Sequence, residues 1–323
     1  MRLTATIAAL LVGATPVLAQ EEIVFGISAT PGSLQGQSAA EFARRANEKL
    51  GDLGAVTVFD SSQLGDDRDM MTKLKLGTVH ITLPSSIMPE VAPEYAIFDL
   101  PFLVADRDHL ARISDTLFAD TLVPAAEAEG YRPLAVWENG FRQITNNERP
   151  INTPADLEGL KIRTPNSSWR VAMFEAYGAN PTPMSFSEVF VGLQTGVIDG
   201  QENPLTNIAG AKLEEVQEYL SLSGHVYSPA FPTVGVDAFE RLDPEIQTIL
   251  AETAEEVALW AREQGAMQDD ALLGQLEASG MQVNTADRAA FVEASAPLYE
   301  KFAAEVEGGQ AMIDQALSLA EGS

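Results

Sequence analysis

Between Glu22 and Leu83 the chain alternates three short apolar segments with two amphipathic ones, an order that few folds accommodate. Glu22 to Ser28 reads as a strand, and Ser33 or Ser38 opens a helix through Leu50 with Phe42, Ala43 and Leu50 on one apolar side. Val56 to Phe59 reads as a second strand ending at Asp60-Ser61-Ser62. Met70 to Leu76 reads as a helix closed by Gly77, and Val79 to Leu83 as a third strand running into Pro84-Ser85-Ser86. The alternation predicts an α/β fold with a largely parallel sheet covered on its faces. A fainter echo supports two such units. Leu74-Lys75-Leu76-Gly77-Thr78-Val79-His80 and Leu193-Gln194-Thr195-Gly196-Val197-Ile198-Asp199 share a helix end, a Gly cap and a short apolar strand.

Length points the same way. Met1-Arg2, the apolar run to Leu18 and the Val17-Leu18-Ala19 ending predict a secretory signal over residues 1–19, cleaved after Ala19. The run falls short of the ~20 apolar residues of a membrane span. About 300 residues then remain, more than one core usually serves, so two lobes are expected. The absence of cysteine excludes a disulfide scaffold and thiol chemistry. Loss of the leader removes Arg2 and no acid, so the 20 basic residues become 19 against 47 acidic, a net charge of −28. That surface repels nucleic acid and anionic membranes. Toward a small anion the charges beyond roughly 8 Å are screened, and a local arginine decides.

Such arginines stand in the second half. Arg142 follows Gly140-Phe141, and Arg163 ends Leu160-Lys161-Ile162 before Thr164-Pro165, which forces the chain extended. Asn203 lies before Pro204 in Asp199-Gly200-Gln201-Glu202-Asn203-Pro204, on what reads as a stiff loop. These groups suit holding a carboxylate better than breaking a bond. Local context alone leaves Arg163 free to be a structural ion-pair partner and Asn203 an Asx turn.

The run from Trp137 to Leu222 resembles the solute-binding proteins of tripartite ATP-independent periplasmic (TRAP) transporters. The likeness rests on Gly140-Phe141-Arg142-Gln143-Ile144-Thr145-Asn146, Thr153-Pro154-Ala155-Asp156-Leu157, Pro181-Thr182-Pro183-Met184, Phe186-Ser187-Glu188-Val189 and Glu214-Glu215-Val216-Gln217-Glu218-Tyr219-Leu220. It recurs in Gln63-Leu64-Gly65-Asp66-Asp67-Arg68 and Leu100-Pro101-Phe102-Leu103. The resemblance implies a two-lobed periplasmic binding fold with a hinge and a long helix along both lobes. The lobes are expected at residues 20–139 with 229–268, and at 140–228 with 269–323. It implies that Arg163 forks onto the solute carboxylate while Arg142, Asn203 and Asn166 add polar contacts and Phe186 an aromatic wall. Trp169, Glu202, Ser28 and Ser85 complete the expected ligand set, with Thr30 and Ser86 as lesser candidates, while Arg170 reads as a solvated helix face. The implied partners are a small organic acid and the permease subunits of an ion-driven membrane transporter, with the protein itself a periplasmic monomer. A uronate or aldonate is the expected solute. A C4-dicarboxylate, a keto acid or an aromatic acid is the alternative, and a ligand sensor for a receptor kinase would share the same sequence.

Three local readings complete the picture. Thr153-Pro154-Ala155-Asp156 and Ser185-Phe186-Ser187-Glu188 read as helix starts. Asp243 to Ser279 reads as a long helix bending at Gly265, and Thr285 as the cap of a further one. Catalysis, cofactor and metal find no motif. His80, His109 and His225 lack metal-ligand spacing, no HExxH, GxSxG, Walker or GxGxxG pattern occurs, and Asp66-Asp67-Arg68-Asp69 fits the acidic first turn of a helix.

Overall fold

The computed structural model describes residues 20–320, and the leader expected at 1–19 lies outside the described residues. The opening alternation folds as β1 (Glu21–Gly26), α1 (Leu34–Leu50), β2 (Gly54–Phe59), α2 (Asp67–Leu76) and β3 (Ile81–Thr82). Its boundaries have local causes. Ser33 Oγ accepts from the Gly36 N–H at 3.2 Å to start α1, and a reciprocal capping box between Asp66 and Asp69 starts α2. Gly77, at φ 71°, ends α2 in the left-handed conformation, and Gly196 repeats this at φ 70°, so the echo in the sequence is an echo in the backbone. After α3 (Arg107–Leu117) and α4 (Val123–Ala128), β4 (Tyr131–Pro133) completes the first half.

The second half runs β5 (Trp137–Asn146), β6 (Lys161–Thr164), α5 (Ser168–Ala176), β7 (Asn180–Pro183), α6 (Val189–Gln194), β8 (Gly200–Pro204), α7 (Leu205–Gly210) and β9 (Tyr219–Leu222). It continues through β10 (Tyr227–Ala230), β11 (Thr233–Gly235), α8 (Val236–Glu240), α9 (Pro244–Ala278) and β12 (Gln282–Thr285). It ends in α10 (Arg288–Ala294), α11 (Ala296–Glu305) and α12 (Gly309–Ser318). One sheet orders its strands β2-β1-β3-β11-β4. The other orders them β12-β9-β5-β8-β6-β7, with β10 on β5. Parallel pairing holds for β2-β1-β3 and β8-β6-β7, as the alternation predicts, whereas β5, β10 and β11 pair antiparallel with their neighbours. These antiparallel strands belong to the segments that pass from one sheet to the other.

Two corrections follow. Asn203-Pro204 is not a loop but the end of β8, with Asn203 in register with Gln143 of β5. Thr153 caps only a short 3-10 turn, and Asp287, not Thr285, caps the helix after β12.

The crossings are anchored. Trp137, at the start of β5, packs with Phe25 and Phe42 and donates its Nε1 hydrogen to the Ala254 carbonyl at 2.8 Å. The 35-residue α9 places Leu250, Val257 and Ala261 in the core under the first sheet and Leu276 in a core of the second, so one helix belongs to both lobes. It runs unbroken through Gly265. A Cβ there would fall 2.2 Å from Glu138 Oε1, so the glycine makes room for a carboxylate that Arg107 Nη2 binds at 2.6 Å while also reaching Asp269 at 2.6 Å.

Candidate functional site

A cavity opens between the sheets, where β8 and β6 end and the turns after β1 and β3 face them. Segments around the first sheet contribute Ser28, Gln35, Asp67, Ser85 and Ser86, and those of the second contribute Asn139, on β5, with Arg142, Arg163, Asn166, Ser185, Phe186 and Asn203. Strand direction explains the gathering, since open α/β sheets concentrate polar side chains beyond the carboxyl ends of their strands.

Arg163 is the last but one residue of β6 and only 3 % exposed. Its Nε and Nη2 donate to one acceptor, the Met184 carbonyl, at 2.9 and 2.6 Å, and the guanidinium carbon lies 5.9 Å from the centre of the Phe186 ring. Among the described residues no carboxylate pairs with it. Burial pushes its pKa down to about 10, against the raising effect of Glu202. Among the described residues its Nη1 makes no hydrogen bond, the two bonds of the guanidinium coming from Nε and Nη2.

Arg142 is differently placed. Its Nη2 donates to Glu202 Oε1 at 2.9 Å and to Asn203 Oδ1 at 3.0 Å, and its Nε also donates to the Glu202 carboxylate. Glu202 is thus a correction: it lies fully buried beneath the cavity, outside its lining. Arg170 is another. Far from a solvated face, it is completely buried, with Nη2 on Asp99 Oδ1 at 2.6 Å and Nη1 on Glu202 Oε2 at 3.3 Å. Burial opposes the charge on Glu202, but Arg142 and Arg170 hold its carboxyl far below the usual range. His225 Nε2 lies 3.3 Å from the same carboxylate, and burial pushes the imidazole pKa down against the raising effect of Glu202. The network is the floor that fixes Arg142.

Trp169 also leaves the site. It packs edge-on against Phe302 at 5.8 Å, with Lys301 above its ring, in the core behind α5. Ser167 caps that helix and faces the floor, where its hydroxyl lies 3.3 Å from Asp99 Oδ2. Phe141 likewise turns to Tyr227 at 4.8 Å, and Thr30 lies off the lining. Ser28, Ser85, Asn166, Asn203 and Phe186 do line the cavity. The sequence reading missed Gln35, Asp67, Asn139 and Asn207. For Asn207 the signal was its spacing, four residues after Asn203, which returns its amide to the strand end through one turn of α7. Burial raises the Asp67 carboxyl, against the Ser28 hydroxyl and Arg163.

The rim is tied as well. Ser185 Oγ donates to Asp66 Oδ2 at 2.8 Å, Ser168 Oγ to Glu90 Oε1 at 2.7 Å, and Arg68 Nη2 to the Asn166 carbonyl at 3.3 Å. All three contacts bridge the cleft.

Two α/β lobes clasped over a polar cavity, with a buried guanidinium that no acid pairs with among the described residues, form a site suited to holding a small anionic solute. Residues 25–305 match the model of the bacterial extracellular solute-binding protein family 7, and the chain belongs to that family, the solute-binding proteins of TRAP transporters. It is 36 % identical over 290 residues to the 2,3-diketo-L-gulonate-binding periplasmic protein YiaO of Escherichia coli K12, covering 89 % of this chain and 88 % of that one. A TRAP periplasmic solute-binding protein from Polaromonas sp. JS666, bound to D-erythronate, superposes with a TM-score of 0.88 at 32 % identity over 94 % of this chain and 100 % of that one. Another, from Sulfurospirillum deleyianum DSM 6946 with bound succinate, gives 0.88 at 31 % identity, again over 94 % and 100 %. The family is periplasmic. Among the described residues no helix is long and apolar enough to cross a membrane.

Proposed function

We propose that this protein captures a hydroxylated monocarboxylate, a uronate or aldonate, in the periplasm and delivers it to the permease subunits of a TRAP transporter without chemical change. The observation that carries the reading is Arg163, whose buried charge has no acid partner among the described residues. A carboxylate is the partner whose geometry a guanidinium fork fits. Arg142, held by Glu202, supplies the second positive group, and Phe186 covers the first. Relatives that bind diketogulonate and erythronate support the sugar-acid class, and the succinate-bound one keeps the dicarboxylate in the comparison. The leader directs export and is cleaved after Ala19, and the lobes, 20–139 with 229–268 and 140–228 with 269–323, close as a monomer on the solute. The ion gradient that drives such a permease makes an ATPase unnecessary.

A thermal-shift panel tests the reading, since any molecule that binds only the folded state raises the melting temperature. Sugar acids should stabilise the protein and their amides should not. A neutral polyol or an amine giving the largest shift would overturn the anion assignment.

A further inference from the structure

Two cavity-lining amides, Gln35 and Asn207, bond to neither Arg142 nor Arg163. The orientation of Asn207 is dictated from Arg142. A guanidinium only donates, so Asn203 must turn its Oδ1 toward Arg142 Nη2, 3.0 Å away. That oxygen also accepts from Asn207 Nδ2 at 3.3 Å, and the other Asn207 N–H goes to Asn139 Oδ1 at 3.2 Å. Both hydrogens of the Asn207 amide are therefore engaged, and its oxygen is left over. Asn207 is 4 % exposed, and its Oδ1 is buried without a partner among the described residues. An acceptor in that condition is unfavourable unless something donates to it.

Gln35 completes the picture from the other lobe. It is the second residue of α1, 7 % exposed, and its side chain makes no hydrogen bond among the described residues. The helices that carry the two amides meet backbone to backbone. A Cβ at Gly210, the end of α7, would fall 2.8 Å from the Ser33 nitrogen that precedes α1.

We infer that Gln35 and Asn207 form a hydroxyl-reading subsite, in which Asn207 Oδ1 accepts from a solute O–H and the Gln35 amide pairs with another hydroxyl. The inference rests on the proposed function and deepens it, because it assigns the choice among acids to residues other than the arginines. An acid without hydroxyls, ionised at neutral pH, has only acceptors and leaves Asn207 Oδ1 unpaired. A polyhydroxy acid satisfies it. Sites built to bond a hydroxyl reject analogues that lack one more strongly than apolar pockets reject extra groups.

Calorimetric titration of the mature protein with erythronate, galactonate and glucuronate, against butyrate, hexanoate and succinate, provides the test. The best hydroxylated acid should bind at least about tenfold tighter than the best acid without hydroxyls. Asn207→Ala and Gln35→Ala should each weaken the hydroxylated acid about fivefold or more and leave the other acids within about twofold. Asn207→Ala also removes the bond to Asn203, whereas Gln35→Ala is independent of that network and carries the same expectation. Equal losses on both classes of acid, or no loss on either, overturn the subsite. If acids bind with no preference for hydroxyls, the subsite alone falls; if no acid binds, the proposed function falls with it.

Discussion

Asp66 and Ser185 face each other across the cleft, Oγ to Oδ2 at 2.8 Å, and each is also the residue that starts its own helical segment. The contact therefore joins two fixed helix starts rather than two mobile side chains. Ser185→Ala should weaken solute binding by about 1 kcal/mol, roughly fivefold, mainly through faster release. Stopped-flow dissociation checks this, and an unchanged off-rate refutes the clasp.

Arg163 sets function against stability. Its buried, unpaired charge should destabilise the solute-free fold, so Arg163→Met should raise the unfolding free energy by up to about 2 kcal/mol while weakening the acid by about 2–5 kcal/mol. Arg163→Lys should restore only part of the affinity, because an ammonium lacks the fork. A fall in melting temperature for Arg163→Met, without solute, would contradict the charge argument.

Trp169 and Arg170 should behave as structure. Truncating Trp169 against Phe302 should cost about 3 kcal/mol of stability, and Arg170→Met, which strands Asp99, about 3–5 kcal/mol. The affinity of Trp169→Ala for the acid, measured where the protein remains folded, should stay within about twofold. A larger loss would return Trp169 to the cavity wall.

Acid should weaken the protein in two stages. His225 has a lowered pKa in the fold because burial disfavours its charge, so its contribution is complete above the ordinary value near 6.5 and is lost as pH falls through the lowered one. Asp66 and Glu202 are lowered despite burial, Asp66 by the Asp69 N–H and the Ser185 hydroxyl, Glu202 by its arginines. Their contributions are present above about pH 4 and disappear as pH falls through the folded values. Melting temperature should be level above neutrality, decline gently below about 6.5 and drop steeply below about 4. A rise between pH 7 and pH 5 would break the scheme.

The legible part of this protein was whatever a short window encodes. Ser185 announces its capping box within four residues, Gly77 and Gly196 announce their turns, and Asp66 to Asp69, read as an acidic first turn, is in fact the capping box that starts α2. The fate of Arg170 was not legible, because its partners Asp99 and Glu202 lie 71 and 32 positions away and only the tertiary fold brings them to it. Gly265 failed for the same reason. A glycine in a helix suggests a bend, whereas here it answers to Glu138 on a different element. The arginine motifs were recognisable as an anion site, yet nothing near Arg142 in sequence told that its floor would be Glu202 and that Asn207 would inherit its polarity through Asn203.

The buried floor has an implication for recognition by any partner. A captured monoanion would add one negative charge to a chain whose net charge is already −27, and would do so beside the buried Arg163, behind the rim. Seen from outside, loaded and unloaded molecules carry almost the same electrostatic face. A membrane partner that must tell them apart cannot count charge. It has to measure shape, the spacing between the lobes that α9 joins and the rim contacts lock.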